Sequence, residues 1–320
     1  MKNEKEHSFC LMDNLSFFLQ SHGIGINKTE LSIITGCYGF RYLSHETEFE
    51  RLKGVNGNFF ELFTRMQTNI NCQFKKHQFY QADEYVKWLI HYLTQSGAIV
   101  VWVNDYFKND SVHYLKDNVY RPVVIIAATS KEIQFYDTGT NVINIKQFVN
   151  IANENDSSMF TAYTMKENMV QCNKSLLIKN GLNQMNDCFN KSGKQMLTEF
   201  RWELEHLTDT NRFYEYYYSL KMPGGLTNSR LALANISDIV KMKTLLKSNI
   251  KIICDFGERL SYQWKMIANL LFRLSEQYEL DLHQRILNRL DEVIIMEKQF
   301  WPLFVEEPQF LNYNQKEAYL

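Results

Sequence analysis

The sequence predicts an α+β protein in which helices come first, a β-meander follows, and a long helical half closes the chain. Three observations carry this. Apolar residues recur at helical spacing through residues 10–94. Two six-residue apolar runs, Ala98–Val103 and Val123–Ala128, then interrupt that texture. Beyond about residue 165 the helical period returns almost without a break.

Taken in order, the first helix opens at Cys10, with Leu11, Leu15, Phe18, Leu19 and His22 on one face and Gly23 as its stop. Thr29–Ile34 forms a short helix closed by Gly36 and Gly39. Residues 56–70 carry Phe59, Phe60, Leu62, Phe63 and Met66 in a third amphipathic pattern. Gln81–Thr94 gives a fourth, with Val86, Leu89, Ile90 and Leu93 on one face, and Gly97 breaks it. Ala98–Val103 is rich in β-branched residues and reads as a buried strand. A polar loop from Asn104 to Asn118 follows and holds His113. Val123–Ala128 is the second strand, Thr129–Glu132 the turn, and Ile133–Tyr136 the returning strand of a hairpin that ends at Asp137-Thr138-Gly139. Residues 152–158 read as a surface loop or linker, which divides the chain into domains 1–160 and 161–320. The second domain is expected to hold helices near 175–190, 193–218, 226–248, 254–278 and 280–299, with Pro223-Gly224-Gly225 between two of them and an extended tail from Glu306.

Composition narrows the function classes. With 22 Phe and 18 Tyr against 13 Gly and 4 Pro, the chain favours long regular elements around a large core. A net charge of −1 argues against a general nucleic-acid binder. The six cysteines, at 10, 37, 72, 172, 188 and 254, include no C-x-x-C pair, so neither a disulfide framework nor a structural zinc site is expected. The N-terminal residues lack an apolar signal core, and the apolar runs fall far short of a membrane span. The expectation is a cytoplasmic protein without metal or membrane contact.

Cys10 is the residue with the most chemical promise. Unpaired N–H groups and the positive end of the helix dipole converge on the first turn of a helix. That environment favours a thiolate and offers donors to an oxyanion. A buried cysteine serving as a small core hydrophobe is the alternative. Thiol acyl chemistry also needs a base and a group to orient it. Asp137, just past the third strand, suits the orienting role, unless it only caps its turn. His113 is the candidate base, its alternative being a solvated loop histidine. Arg121 remains protonated and cannot act as base, but it could hold a thiolate or a substrate anion, or simply sit on the surface at a strand start.

The segment C-L-M-D-N-L-S-F-F-L-Q-S-H-G, residues 10–23, has the form C-x-x-x-(A/N)-L-x-x-x-L-x-x-x-G through Cys10, Asn14, Leu15, Leu19 and Gly23. In this it resembles the family of the butirosin-biosynthesis protein H, whose N-terminal domain is related to bacteriocin-processing cysteine peptidases. The helix, glycine and strand from Gln81 to Asp105 are similar to the family's. Asp137 stands sixteen residues after Arg121, the spacing at which the family places its aspartate after a histidine. Arg121-Pro122-Val123-Val124-Ile125 occupies the place of the family's H-(Y/F)-V-V-V, so the histidine does not carry over. In the second half, P-G-G-L-T-N-S-R and Trp264 resemble the Gly-Gly-x-x-x-x-Arg helix start and the W-x-x-(L/I)-A segment of the family's helical domain.

The resemblance implies a papain-like N-terminal domain carrying Cys10 and a mostly α-helical C-terminal domain. It implies an acyltransferase that takes an acyl group from the phosphopantetheine thioester of an acyl or peptidyl carrier protein and passes it to a small-molecule amine in specialised metabolism. With Cys10 and Asp137 carried over and His113 read from the loop as the candidate base, these three would be the catalytic set, Arg121 and Asn14 the substrate-binding residues, and no cofactor beyond the carrier's arm would be needed. Arg41, Arg51, Lys53, Lys75 and Lys76 are candidates for docking an acidic carrier, with a solvated mixed surface as the alternative. The helical half is a candidate for shaping the acceptor pocket or for homodimerisation. With the histidine displaced, a non-catalytic binding protein of a biosynthetic assembly is the second reading, and a cysteine peptidase or thioester hydrolase the third.

Overall fold

The computed structural model describes residues 10–43, 54–56, 62–95, 97–104, 120–152, 159–166, 173–221, 225–238 and 250–304; for Cys10, Leu43, residues 54–56, Tyr120, Arg121, Ser237 and Asp238 it describes the backbone alone. The protein mixes helix and sheet, as the sequence predicts. Two units account for the chain: Met1–Thr35 with Phe59–Ile178, and Gly36–Asn58 with Lys179–Leu320.

The first unit is built on one antiparallel six-stranded sheet of order β3-β8-β4-β5-β6-β7. Its strands are β3 (Gln73–Phe79), β4 (Ile99–Asn104), β5 (Tyr120–Ala128), β6 (Glu132–Tyr136), β7 (Thr140–Asn144) and β8 (Phe160–Lys166). Strand β4 lies inside the sheet and is covered on both faces, which is why it reads as a continuous apolar run rather than an alternation. It pairs with β5 in register from Ile99↔Ile125 to Asn104↔Tyr120. The turn from β5 to β6 is held by Thr129, whose N–H donates to the Glu132 carbonyl at 2.9 Å. The Thr129 hydroxyl oxygen accepts from the N–H groups of Lys131 and Glu132.

Helices cover both faces. On one, α4 (Ala82–Gln95) and α5 (Ile145–Ala152) bury Tyr85, Leu89, Phe148 and Ile151 against Ile99, Val101, Val103, Val123, Ile125 and Phe135. On the other lie α1 (Cys10–Ser21) and α3 (Leu62–Ile70). There Phe17 stacks on Tyr136, Phe18 on Phe74, and Phe63 meets Phe74, Trp102 and Tyr163. Helix α1 ends as its glycine requires: Gly23 has φ 77°, and the Ile24 N–H reaches back to the Leu19 carbonyl at 2.9 Å. Helix α2 (Lys28–Ile34) starts with a capping box between Asn27 and Glu30.

Several elements differ from expectation. Asn56, expected in the third helix, belongs instead to a short strand, β2 (Gly54–Asn56), paired with β1 (Arg41–Leu43); the described part of that helix is α3 (Leu62–Ile70). Strands β3, β7 and β8 and helix α5 were not expected; α5 is amphipathic, burying Phe148, Ile151 and Ala152, but is only eight residues long. Gln73–Phe79 is an edge strand whose exposed positions include two lysines, so its apolar signal is thin. The helix foreseen over 193–218 is two helices, α7 (Lys194–His206) and α8 (Thr210–Lys221). Leu207 turns extended between them, and Asp209 accepts from the Asn211 N–H at 2.9 Å as α8 begins. The 104–118 loop beyond Asn104, residues 153–158 of the expected linker and the tail from Glu306 lie outside the described residues; Ala152, expected in the linker, ends α5.

Apart from the β1–β2 pair, the second unit is helical among its described residues. Helix α6 (Lys174–Cys188) runs through a π turn at Phe189–Gly193 into α7, and α9 (Leu226–Ala234), α10 (Ile250–Glu276) and α11 (Leu280–Phe300) complete the set. Gly225 precedes α9 because nothing larger fits: a Cβ there would lie 2.3 Å from the Leu220 carbonyl oxygen. Arg230 and Glu297, both fully buried, form a two-pronged ion pair at 2.8 and 3.1 Å. The Trp264 and Trp301 indole N–H groups donate to the two Glu297 oxygens at 2.8 and 2.9 Å, and Arg230 also donates to the Tyr38 carbonyl at 2.6 Å. No described helix is long and apolar enough to cross a membrane.

An ion pair this dry is stabilising only while every polar atom stays paired. Glu297→Ala leaves Arg230 charged in an apolar interior, and urea unfolding is expected to show a loss of about 3–5 kcal/mol. Asp291→Ala, which removes the exposed partner of Arg201, is expected to cost under about 1 kcal/mol in the same assay. Equal effects would contradict the assignment of Glu297 as the centre of this core.

Candidate functional site

Cys10 is the first residue of α1. The next turn of that helix presents Asp13, Asn14 and Phe17, and all three contact the β5–β6 end of the sheet. The spacing i, i+3, i+4, i+7 makes Cys10, Asp13, Asn14 and Phe17 one stripe of the helix, so the backbone puts Cys10 at the N-terminal end of the sheet-contacting row.

Asn14 ties this row to the sheet. It is fully buried. Its Nδ2 donates to the Pro122 carbonyl at 2.7 Å, and its Oδ1 accepts from the Thr138 N–H at 3.1 Å. The pairing of β5 with β6 ends at Val124↔Tyr136, and continuing that register would oppose Pro122 to Thr138. The Asn14 carboxamide therefore occupies the next rung of the ladder, where the strands have parted, and supplies a donor and an acceptor as a peptide group would. One side chain thus fixes the helix start, the residue after Arg121 and the residue after Asp137.

Asp137 is 8% exposed and begins the turn between β6 and β7. Thr138 follows with φ 53°, and the Asp137 N–H donates to the Gly139 carbonyl at 2.8 Å. Arg121 is the second residue of β5 and pairs with Val103 in β4. His113 lies outside the described residues. The structure thus brings Cys10, Asn14, Arg121 and Asp137 to one end of the first unit by backbone position. Both ends of the Asn14 carboxamide already serve backbone partners.

Three residues of this region, Asp13, Phe17 and Tyr136, were not singled out in the sequence. The Tyr136 hydroxyl donates to Asp13 Oδ2 at 3.1 Å, and the Tyr136 ring lies parallel to Phe17 at 3.9 Å. Burial, then the negative charges of Asp13 and Asp137, hold the Tyr136 phenol above its ordinary value, so it stays a hydrogen-bond donor. The signal that could have found Asp13 and Phe17 is their place in the Cys10–Asn14 stripe. Among the described residues, no cluster of three or more His, Cys, Asp or Glu side chains is arranged to hold a metal ion.

No family model matches the chain, and no curated protein matches it in sequence.

Removing the bridge exposes its weight. Asn14→Ala strands a buried carbonyl at Pro122 and an N–H at Thr138, for an expected loss of about 2–4 kcal/mol. Amide hydrogen exchange at Thr138 should accelerate with it. A loss under about 0.5 kcal/mol, or an unchanged Thr138 amide, would contradict the bridging role.

Proposed function

We propose that the chain is a thiol-dependent acyltransferase that forms an amide from a carrier-bound acyl thioester and a small amine. The observation that supports this most is the Asn14 bridge. It holds the first turn of the Cys10 helix against the start of β5 and the turn carrying Asp137. A helix start, a strand start and a buried carboxylate drawn together are what a papain-like thiol site needs, and the antiparallel sheet under α1 accommodates that architecture.

In this reading the Cys10 thiol loses its proton to a base and attacks the donor's carbonyl carbon. The carrier's thiol leaves with a proton, and the acyl group remains on Cys10 as a new thioester. An amine then attacks that carbonyl, the C–S bond breaks, and the amine's proton passes through the base to the Cys10 sulfur. N–H groups of the first turn of α1 would stabilise each tetrahedral oxyanion. His113 is the proposed base, Asp137 orients it, and Arg121 binds the donor's anionic groups. Asn14 acts as a positioning residue. No cofactor is required beyond the phosphopantetheine arm of the carrier. That Cys37, Cys72, Cys188 and Cys254 are thiols fits a reducing, cytoplasmic setting for such chemistry.

A second reading has its own observation. Strand β5 opens with Tyr120-Arg121-Pro122, so no imidazole stands on the strand beside the Asn14 bridge. A domain of this kind would bind carrier-tethered intermediates without turning them over.

Intact-protein mass spectrometry after mixing with acyl-thioester surrogates separates the two. Acyl transfer predicts a mass gain equal to the acyl group, absent in Cys10→Ala, and discharged when an amine is added. Discharge by water alone at the same rate would favour a hydrolase. No adduct from any surrogate would leave the binding reading.

A further inference from the structure

We propose that the recess at the open end of strands β3 and β8 is a binding site for a phosphate-bearing small molecule. It lies at the β3 edge of the sheet, with β8 and β4 between it and the β5–β6 end that carries the Asn14 bridge. The proposal is therefore independent of the thiol chemistry above.

The recess holds about 620 Å³ and opens to solvent. That is room for an organic body as well as a phosphate group, within the usual range for metabolite sites of about 300–1,000 Å³. Its described lining carries two ammonium groups, Lys75 and Lys166, and no carboxylate. Neither ammonium has an ion-pair partner among the described residues. The register explains why they sit together. Gln73 pairs with Lys166 and Lys75 with Thr164, so the two lysines take diagonal positions on one face of the sheet. Both are exposed, and together they give this edge a positive surface that an anion can neutralise.

The neutral groups around them fit the same ligand. Gln67, Asn71 and Gln73 contribute amides and Thr68 a hydroxyl, all able to donate to phosphate oxygens. Asn71 is held at φ 59°, which turns the chain from the end of α3 into β3 and shapes the wall. Cys72 and Phe74 complete the lining, although the Phe74 ring itself packs against Phe18 and Phe63. A positive field also reaches the neighbouring His77, which is held below its ordinary value first by burial and then by the Lys75 charge. A cationic ligand would meet only repulsion here, and a neutral one would leave both lysines unpaired.

Isothermal titration with three probes tests this on the full chain and on Cys10→Ala: AMP, inorganic pyrophosphate, and adenosine as the uncharged control. AMP and pyrophosphate should bind to both proteins, more weakly as salt is added, while adenosine should not. Lys75→Ala and Lys166→Ala should each weaken AMP about tenfold. Lys76→Ala, a neighbour outside the recess, should leave it unchanged. No binding of AMP or pyrophosphate at about 10 mM, or equal affinities in Lys166→Ala and Lys76→Ala, would overturn the proposal and leave Lys75 and Lys76 as charges that merely deter strand pairing at the edge.

Discussion

The arrangement at the β5–β6 end of the first unit depends on one carboxamide. Where the two strands part, the carbonyl of buried Pro122 and the N–H of Thr138, at the exposed turn, would each lose a ladder partner. An unpaired group of that kind costs about 1–3 kcal/mol, so a separation of strands must be filled by something that both donates and accepts. Asn14 does so from the second turn of α1. Its two hydrogen bonds satisfy the sheet and, by the same act, orient the helix. Aspartate would lack the donor and leucine both functions, which is the physical reason for an amide at this position. Phe17 on Tyr136 and the Tyr136 hydroxyl on Asp13 reinforce the same contact, from one turn beyond Asn14 and from the residue just before it.

The second unit uses its buried polar groups differently. Glu297 gathers Arg230, Trp264 and Trp301 in one dry cluster, and Tyr42 and Tyr216 both hydrogen-bond Glu203, which also receives Arg212. These groups face one another rather than an opening. Gly225, Arg230 and Trp264, which stood out in the sequence of the second half, are thus explained by packing. Gly225 admits the Leu220 carbonyl, and Arg230 and Trp264 meet on one carboxylate. Constraints of this kind specify a core whether or not a site lies nearby.

What could be read from the sequence follows from where each element lies. The strands covered on both faces, β4 and β5, announce themselves as apolar runs, and α1 through its stripe of Leu15, Phe18 and Leu19 with the Gly23 stop. Strand β3 could not be seen because an edge strand with Lys75 and Lys76 has little to bury. Strand β8 pairs with β3 and β4 although it follows them by more than fifty residues, and no local pattern encodes a pairing of that range. The break at Leu207–Asp209 was present as an Asp209 cap but is masked by continuous helical period on either side. At the site, Cys10 and Asp137 stood out by type and position, and Asn14 only through the family pattern it was matched to. Asp13 and Tyr136 did not, because their significance is a contact between a helix and a strand end more than a hundred residues apart.

The central claim is that the Asn14-held helix start makes Cys10 a nucleophile rather than a core thiol. Its most direct test is the pH dependence of Cys10 alkylation by iodoacetamide, followed by peptide mass mapping so that the other cysteines are counted separately. The account predicts a midpoint well below the ordinary thiol value of about 8.5, moving back toward it in Asp137→Asn. A Cys10 that alkylates with an ordinary midpoint, or only after the protein unfolds, would contradict it.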